Sequence, residues 1–327
     1  MMNLTAFLHG YPPFWSMGGE VSTHRTLRSV QGSTVFTNTD QDYEIDGVQV
    51  KRITATTAVS RIVDHARSVD SRVLFGHSTL SAVTIRAARR MGIPSILAVH
   101  APPNFALDLR RAWGGATIRL YNTEAARREW HDPMGWLLHP PVGKPLGDIG
   151  DNPNKDAITL TSSLLNKGAS QVMQLAKKWP SRRFIIVRSP AHTTHGSADF
   201  DKIAGELPNV EVWSRLHPDE MWRLWAETKV LLVPSYYETY GMSALEAAWY
   251  GIPSVHVDTP HVREGIGTAA RLLSSRSIEE LEVAIQEVEA DYNMWSATAH
   301  SRVHQVYARE QVELEQFASR VAELATE

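Results

Sequence analysis

The feature that most limits what this chain can fold into is a repeated change of hydrophobic period, from short β-rich runs to amphipathic stretches and back. Strands alternating with crossover-length helices build parallel sheets covered on both faces. In the first half, Leu4–His9, Thr34–Thr37, Val48–Ile53, Arg72–Phe75, Ser95–Val99 and Thr117–Tyr121 read as strands. Helical stretches near Val21–Val30, Ala58–Arg67, Leu80–Met91 and Glu124–His131 lie between them. His139–Asn154 then breaks the pattern with four prolines and three glycines, as an interdomain linker does. Alternation resumes with strands at Ala157–Leu160, Arg183–Val187, Val210–Trp213, Val230–Val233 and Ser254–Val257. Helices follow at Gly168–Lys178, Pro218–Thr228, Ser243–Tyr250 and Ile278–Ala290, and Tyr292–Glu327 reads as helix throughout.

The expected architecture is therefore α/β, with two Rossmann-like doubly wound domains over residues 1–145 and 150–309 facing an interdomain cleft. A helix at about 310–327 is expected to cross back onto the first domain. Such sheets offer ligands the carboxyl ends of their strands, but the fold alone names no function. With 43% hydrophobic and 21% charged residues the composition is globular, and no apolar run approaches the roughly 20 residues that span a bilayer. No stable membrane insertion is expected, and the opening MMNLTAFLHGYPPFW lacks the basic n-region of a signal peptide. Without cysteine there is no disulfide framework or thiolate metal site, so a cytoplasmic setting is the default. Charge is uneven. Residues 1–148 carry 16 Lys+Arg against 12 Asp+Glu, and the remainder 17 against 24. A mild basic bias permits a polyanionic partner without demonstrating one.

The most informative segment is Pro234–Gly251, PSYYETYGMSALEAAWYG, which leaves an apolar strand, crosses a polar loop and enters a helix at Gly241–Ser243. Two acids, Glu238 in the loop and Glu246 in the helix, stand eight positions apart. A strand-loop-helix turn aims backbone N–H groups at whatever lies beside it, which suits a diphosphate. Gly241 permits close backbone approach. The loop acid can orient sugar hydroxyls and the helical one can accept from a ribose diol. A solvated loop acid and a helix-stabilising Glu give the same spacing by chance, so spacing alone decides nothing.

The run PSYYETYGMSALEAAWYGIPSV resembles the family 4 glycosyltransferase signature, written E-x7-E, and VDTPHVREGIGTAARLL resembles the element after it, with Glu264 in its loop. HGYPPFWSMGGE resembles the family's Gly-Gly loop near the donor phosphates, here Gly18 and Gly19. IPSILAVHAPP resembles the strand that ends in its cleft histidine, here His100, and LYNTEAARREW its Asn-Ser/Thr strand end, here Asn122 and Thr123. ITLTSSLLNKG resembles the phosphate-binding loop: Lys167-Gly168 matches, whereas Ser162 stands where an Arg is usual. LLNKGASQVMQLAKKWPSRRFIIV fits a branch with that change, and Arg188 or Arg263 is the candidate replacement cation.

The resemblance implies a GT-B fold and a retaining, metal-independent transfer of a hexosyl or pentosyl group from a nucleotide diphosphate-sugar to a hydroxyl acceptor. It implies no cofactor and no metal. Glu238, His100 and Lys167 would be catalytic: Lys167 steadies the leaving diphosphate, Glu238 holds donor-sugar hydroxyls, and His100 lies beside the reacting sugar. Gly18, Gly19, Tyr240, Gly241, Met242, Ser243 and Glu246 would complete the donor site, with Glu246 on the ribose. His77, Asn122 and Trp15 are candidates for the acceptor. No acid stands out as an enzyme nucleophile, so departure and attack on one face of an oxocarbenium-like species is expected. The acceptor is open between DNA (a hydroxylated base), protein, glycolipid and small molecule; Arg86–Arg90, Arg110–Arg111 and Arg127–Arg128 are the basic clusters a polyanion would need. A nucleotide-sugar epimerase or hydrolase on the same fold, or an inactive nucleotide-sugar-binding subunit, are the competing readings.

Other motifs carry less. Asp40-Gln41-Asp42 spells a metal-binding D-x-D but sits in a polar stretch that reads as surface loop. His300 and His304 share a helix face without a third ligand. Trp222, Trp225, Trp249 and Trp295 occupy helical positions and read as packing; Trp15, Trp113 and Trp213 lie on or near loops and strand ends, where stacking on a sugar or base is the alternative to core.

Overall fold

The computed structural model describes residues 3–14, 18–54, 58–105, 107–145, 147–150, 155–189 and 194–326, with the side chains of 105, 108 and 194–199 set aside. It forms two compact units, residues 1–141 with 308–327, and residues 142–307.

The first unit runs β1 (Leu4–Leu8), α1 (Gly18–Leu27), β2 (Thr34–Thr37), β3 (Tyr43–Ile45), β4 (Val48–Arg52), α2 (Val59–Ser68), β5 (Val73–Gly76), α3 (Ser81–Met91), β6 (Ser95–Val99), α4 (Leu107–Trp113), β7 (Ile118–Tyr121), α5 (Glu124–Glu129) and β8 (Trp136–Leu137). Its sheet has the order β3-β4-β2-β1-β5-β6-β7-β8, parallel except that β3 and β4 form an antiparallel hairpin. Central strands such as β1, β2 and β5 are buried along their whole length, which is why they read as continuous apolar runs.

The second unit runs β9 (Ala157–Leu160), α6 (Ala169–Lys178), β10 (Phe184–Val187), α7 (Thr194–Gly205), β11 (Val210–Trp213), α8 (Met221–Glu227), β12 (Thr228–Val233), α9 (Met242–Ala248), β13 (Ser254–Val257), α10 (Pro260–Glu264), β14 (Arg271–Leu273), α11 (Ile278–Ala290) and then α12 (Tyr292–Leu324). All neighbours in its sheet, β11-β10-β9-β12-β13-β14, are parallel. Two apolar clusters form its core. Leu231, Val233, Ala244 and Leu245 belong to one, and Ile158, Val172, Ile186 and Val255 to the other. Leu231 and Leu232 go to different clusters, as period-2 side chains on a twice-covered strand must.

The fold is the expected α/β pair of doubly wound parallel sheets. Helix α12 is shared between the units by residue number. Its later part carries Phe317, Val321 and Leu324, spaced four and three residues apart, into the apolar cluster of β1 and β5, and Glu313 accepts from the backbone and ring nitrogens of His139 at 3.0 and 2.8 Å. Among the described residues no helix is long and apolar enough to cross a membrane.

Candidate active site

Strand order fixes where a ligand can sit. In the second sheet the chain winds outward from β9 in one direction through β10 and β11, and in the other through β12, β13 and β14. In parallel α/β sheets such a reversal, at the carboxyl ends of the strands, is the usual place for a ligand, and here the loops after β9 and β12 lie at it. The two loops in question carry Lys167 and Glu238.

They are joined. The Lys167 Nζ donates to Glu238 Oε2 at 3.0 Å, with the two side chains 35% and 17% exposed. Backbone reinforces the contact, since Tyr236 N donates to Asn166 O at 2.7 Å. Gly168 ends the short 3-10 turn Leu165–Lys167 at φ +98, where a Cβ would stand 2.4 Å from Pro234 Cγ; only glycine lets these loops meet. Glu238 Oε1 accepts from the backbone N–H of Thr239 at 3.0 Å and of Gly241 at 3.3 Å. Ser235 Oγ adds a longer contact at 3.5 Å. Burial works to raise the Glu238 pKa, but the Lys167 charge and hydrogen bond, the neighbouring His256 and the Thr239 N–H outweigh it and hold the carboxyl below its ordinary value. Glu238 is thus an ionised acceptor at neutral pH.

Gly241 caps α9 at φ +84, and a Cβ there would stand 3.1 Å from Cε1 of His256. Met242 and Ser243 open the helix half-buried, and Glu246 lies a turn further on, half-buried, where its charge helps raise the Tyr250 pKa behind the larger effect of burial. The Tyr240 ring is 1% exposed within the apolar core. The Tyr240 ring thus anchors the loop in the core, which leaves its backbone for any contact with a donor.

Neither proposed replacement for the missing Arg is free. Arg188 donates to both oxygens of Asp201, and Arg263 to both oxygens of Asp258. Ser162 Oγ accepts from Leu164 N at 3.4 Å in its own turn. Lys167 is left as the cation of this loop pair.

The first unit repeats the logic, its order reversing between β1 and β5. Helix α1 begins at Gly18, so Gly18 and Gly19 lie in its first turn, at the helix entrance. A Cβ at Gly18 would meet nothing within 4 Å, and one at Gly19 would be 3.8 Å from the His77 ring. The protein's own packing therefore does not require glycine at either position. His77, 6% exposed, stacks on half-buried His100 with ring centroids 4.6 Å apart. Burial lowers both imidazole pKa values, and the His100 ring lowers that of His77 further; both are neutral at pH 7. Asn122 follows β7 half-buried, and Thr123 caps α5 by accepting from Ala126 N at 3.1 Å. Trp15 lies outside the described residues.

Two groups escaped the sequence reading. His256 has a neighbour relation to Glu238 that no spacing reveals. The other is a relay holding the segment ahead of α1: Tyr11 Oη lies 2.8 Å from His24 Nδ1, and His24 Nε2 lies 3.0 Å from Asp46 Oδ2. Asp46 accepts from Nε2–H, so Nδ1 accepts from the buried Tyr11 hydroxyl. Asp40-Gln41-Asp42 precedes the β3–β4 hairpin; Asp42 Oδ1 accepts from Arg52 N at 2.7 Å and Asp42 pairs with Lys51. Trp225 and Trp295 pack as expected, whereas Trp222 is 39% exposed despite lying over Gly147. Trp113 stacks on Trp130, and Trp213 donates to Glu211.

Residues 161–291 match the family described as glycosyl transferases group 1. No curated protein matches the chain. Among solved structures, the sucrose-phosphate synthase of Thermosynechococcus elongatus is similar at 15% identity and a TM-score of 0.79 over 100% of each chain. HepE of Anabaena, in complex with UDP and glucose, is similar at 15% identity and a TM-score of 0.77, again over 100% of each chain. A Listeria monocytogenes protein provisionally assigned as a UDP-N-acetylglucosamine 2-epimerase is similar at 14% identity and a TM-score of 0.61, covering 91% of this chain and 90% of that one. At these identities the likeness is one of fold, and that fold is GT-B.

Proposed function

We propose that the chain is a retaining glycosyltransferase that takes a hexosyl or pentosyl group from a nucleoside diphosphate-sugar and passes it to a hydroxyl acceptor without a metal. The observation that carries this reading is the Lys167–Glu238 pair at the reversal of strand order, inside the segment that matches group 1 glycosyl transferases.

The chemistry follows from the charges. As the anomeric C–O bond to the diphosphate breaks, negative charge grows on the leaving phosphate oxygen and positive charge on the sugar ring. Lys167 is assigned to stabilise the first, in the role a divalent metal takes elsewhere. Ionised Glu238 accepts from sugar hydroxyls and favours the second. The acceptor oxygen bonds to the anomeric carbon on the face the diphosphate leaves, and its proton passes to the departing phosphate oxygen. Glu246 is assigned to the ribose diol, the backbone N–H groups of Met242 and Ser243 to the diphosphate, and Gly241, with Tyr240 before it, to close approach of the backbone to the donor. Neutral His100, stacked on His77, is assigned to orienting the reacting sugar, with His77 and Asn122 towards the acceptor and Gly18-Gly19 towards the phosphates.

The likeness to the Listeria protein favours a second reading, an epimerase acting on the nucleotide-sugar itself. Thermal-shift screening against UDP-, GDP-, ADP- and TDP-sugars comes first, because a ligand at 100 times its Kd adds about 2.7 kcal/mol to apparent stability. Product analysis with and without acceptor follows. A glycosylated acceptor with the anomeric configuration kept supports transfer; an altered sugar still attached to its nucleotide indicates epimerisation. If Glu238→Ala and Lys167→Ala both leave turnover untouched, the assignment is wrong.

A further inference from the structure

We infer that His256 is a positioning residue for Glu238, a neutral imidazole that braces the Gly241 turn from below and so sets how the carboxylate meets the donor sugar. This rests on the glycosyltransferase reading of the same site.

Strand β13 alternates its side chains: Val255 and Val257 go to the α6–α11 side of the sheet, and His256 to the opposite side, beneath Gly241. The imidazole is 0% exposed, and neither ring nitrogen has a hydrogen-bond partner within the protein. Burying such a group costs free energy that a valine or leucine would not, so packing alone does not account for it. What it touches does. Its Cε1 lies 3.1 Å from the site of a Cβ on Gly241, and the Gly241 N–H is one of the two backbone donors to Glu238 Oε1. The imidazole therefore fills the space beside Gly241, whose N–H is bonded to Glu238, which in turn pairs with Lys167.

The charges belong to the same group. The ionised side chains that act on His256 are Glu238, from the loop after β12, and Lys167, from the turn after β9. Burial is the largest influence and pushes the imidazole pKa down to about 4; Glu238 opposes this and Lys167 adds to it. At neutral pH the ring is uncharged and does not compete with Lys167 for the Glu238 carboxylate. A proton on His256 would set a second cation beside Lys167 and draw on the same carboxylate.

The test uses the intact protein and two readouts. In the first, histidine 13Cε1 resonances are followed through an acid titration, with His256→Asn identifying the signal. The His256 midpoint is expected to lie far below the ordinary value of about 6.5, to rise in Lys167→Met and to fall in Glu238→Gln. A midpoint near the ordinary value, or one unmoved in both variants, overturns the inference. In the second, binding of UDP and of UDP-glucose is measured by calorimetry. His256→Leu is expected to weaken UDP-glucose about tenfold, which is about 1.4 kcal/mol, while UDP stays within about twofold, and His256→Asn is expected to restore part of the loss. Equal weakening of both probes indicates a merely structural role and also overturns it. If Glu238→Gln weakens UDP-glucose and His256→Leu does not, the positioning role fails and the site reading stands. If neither probe binds, or Glu238→Gln changes nothing, the site reading fails, and the titration still decides whether His256 is coupled to the pair.

Discussion

At the residue scale the site depends on two glycines and one ion pair. Gly168 and Gly241 both have positive φ, and a Cβ on either meets a neighbour. Gly168→Ala is expected to cost about 2–4 kcal/mol, combining left-handed strain with the Pro234 clash, measured as a lowered denaturant midpoint. Gly18→Ala, with nothing within 4 Å of its Cβ and a helical backbone, is expected to be neutral or to stabilise by up to about 1 kcal/mol. Breaking the half-buried pair by Lys167→Met should cost about 1–2 kcal/mol of stability, discounted for the exposure of the lysine. It should also cost at least about 100-fold in turnover, the scale of removing one preorganised charge from a leaving group. Glu238 and Lys167 were legible in the sequence because each occupies a loop whose neighbours spell a recognisable pattern. His256 was not: it packs under the Gly241 turn, so that a Cβ there would come within 3.1 Å of its ring, and neighbours of that kind leave no periodic trace.

At the element scale the buried strands were read nearly to their ends, since runs such as Phe184–Val187 are covered on both faces and apolar throughout. Hairpin β3–β4 was read as a single strand with a polar lead-in. Its Asp46-Gly47 turn, both residues at positive φ, is a strong hairpin signal, and β3 was lost because its three residues are too few to show a period. Strand β14 and helices α4, α7 and α10 were missed for similar reasons of length or mixed composition. Strand β13 carries a consequence for acid stability. The His256 pKa is depressed in the folded protein, so between about 6.5 and about 4 the unfolded chain binds a proton that the native one does not. Stability is therefore lost as pH falls through that window, by about 3 kcal/mol for this group, and His256→Leu should flatten that part of a stability–pH curve. Within α12, Phe317 is 3% exposed in the first unit's core. Phe317→Ala should destabilise by about 3–5 kcal/mol, read by urea denaturation.

At the scale of the whole molecule, the charge difference between the halves was legible from composition, and the acceptor was not, because an acceptor is chosen by surface shape. Turnover that falls with a steep log–log dependence on salt would point to a polyanionic acceptor such as DNA; salt-indifferent turnover would exclude it. The two units should also respond unequally to nucleotide. In scanning calorimetry, saturating donor is expected to raise the transition of residues 142–307 first, because Lys167, Glu238 and Glu246 belong to that unit, and an equal shift in every transition would count against that weighting. Helix α12 adds a constraint in time. The apolar cluster around β1 is completed by Phe317, Val321 and Leu324, which the ribosome adds only after all of residues 142–307. The half of the protein that is made first must therefore wait, unfinished, until the other half has been translated.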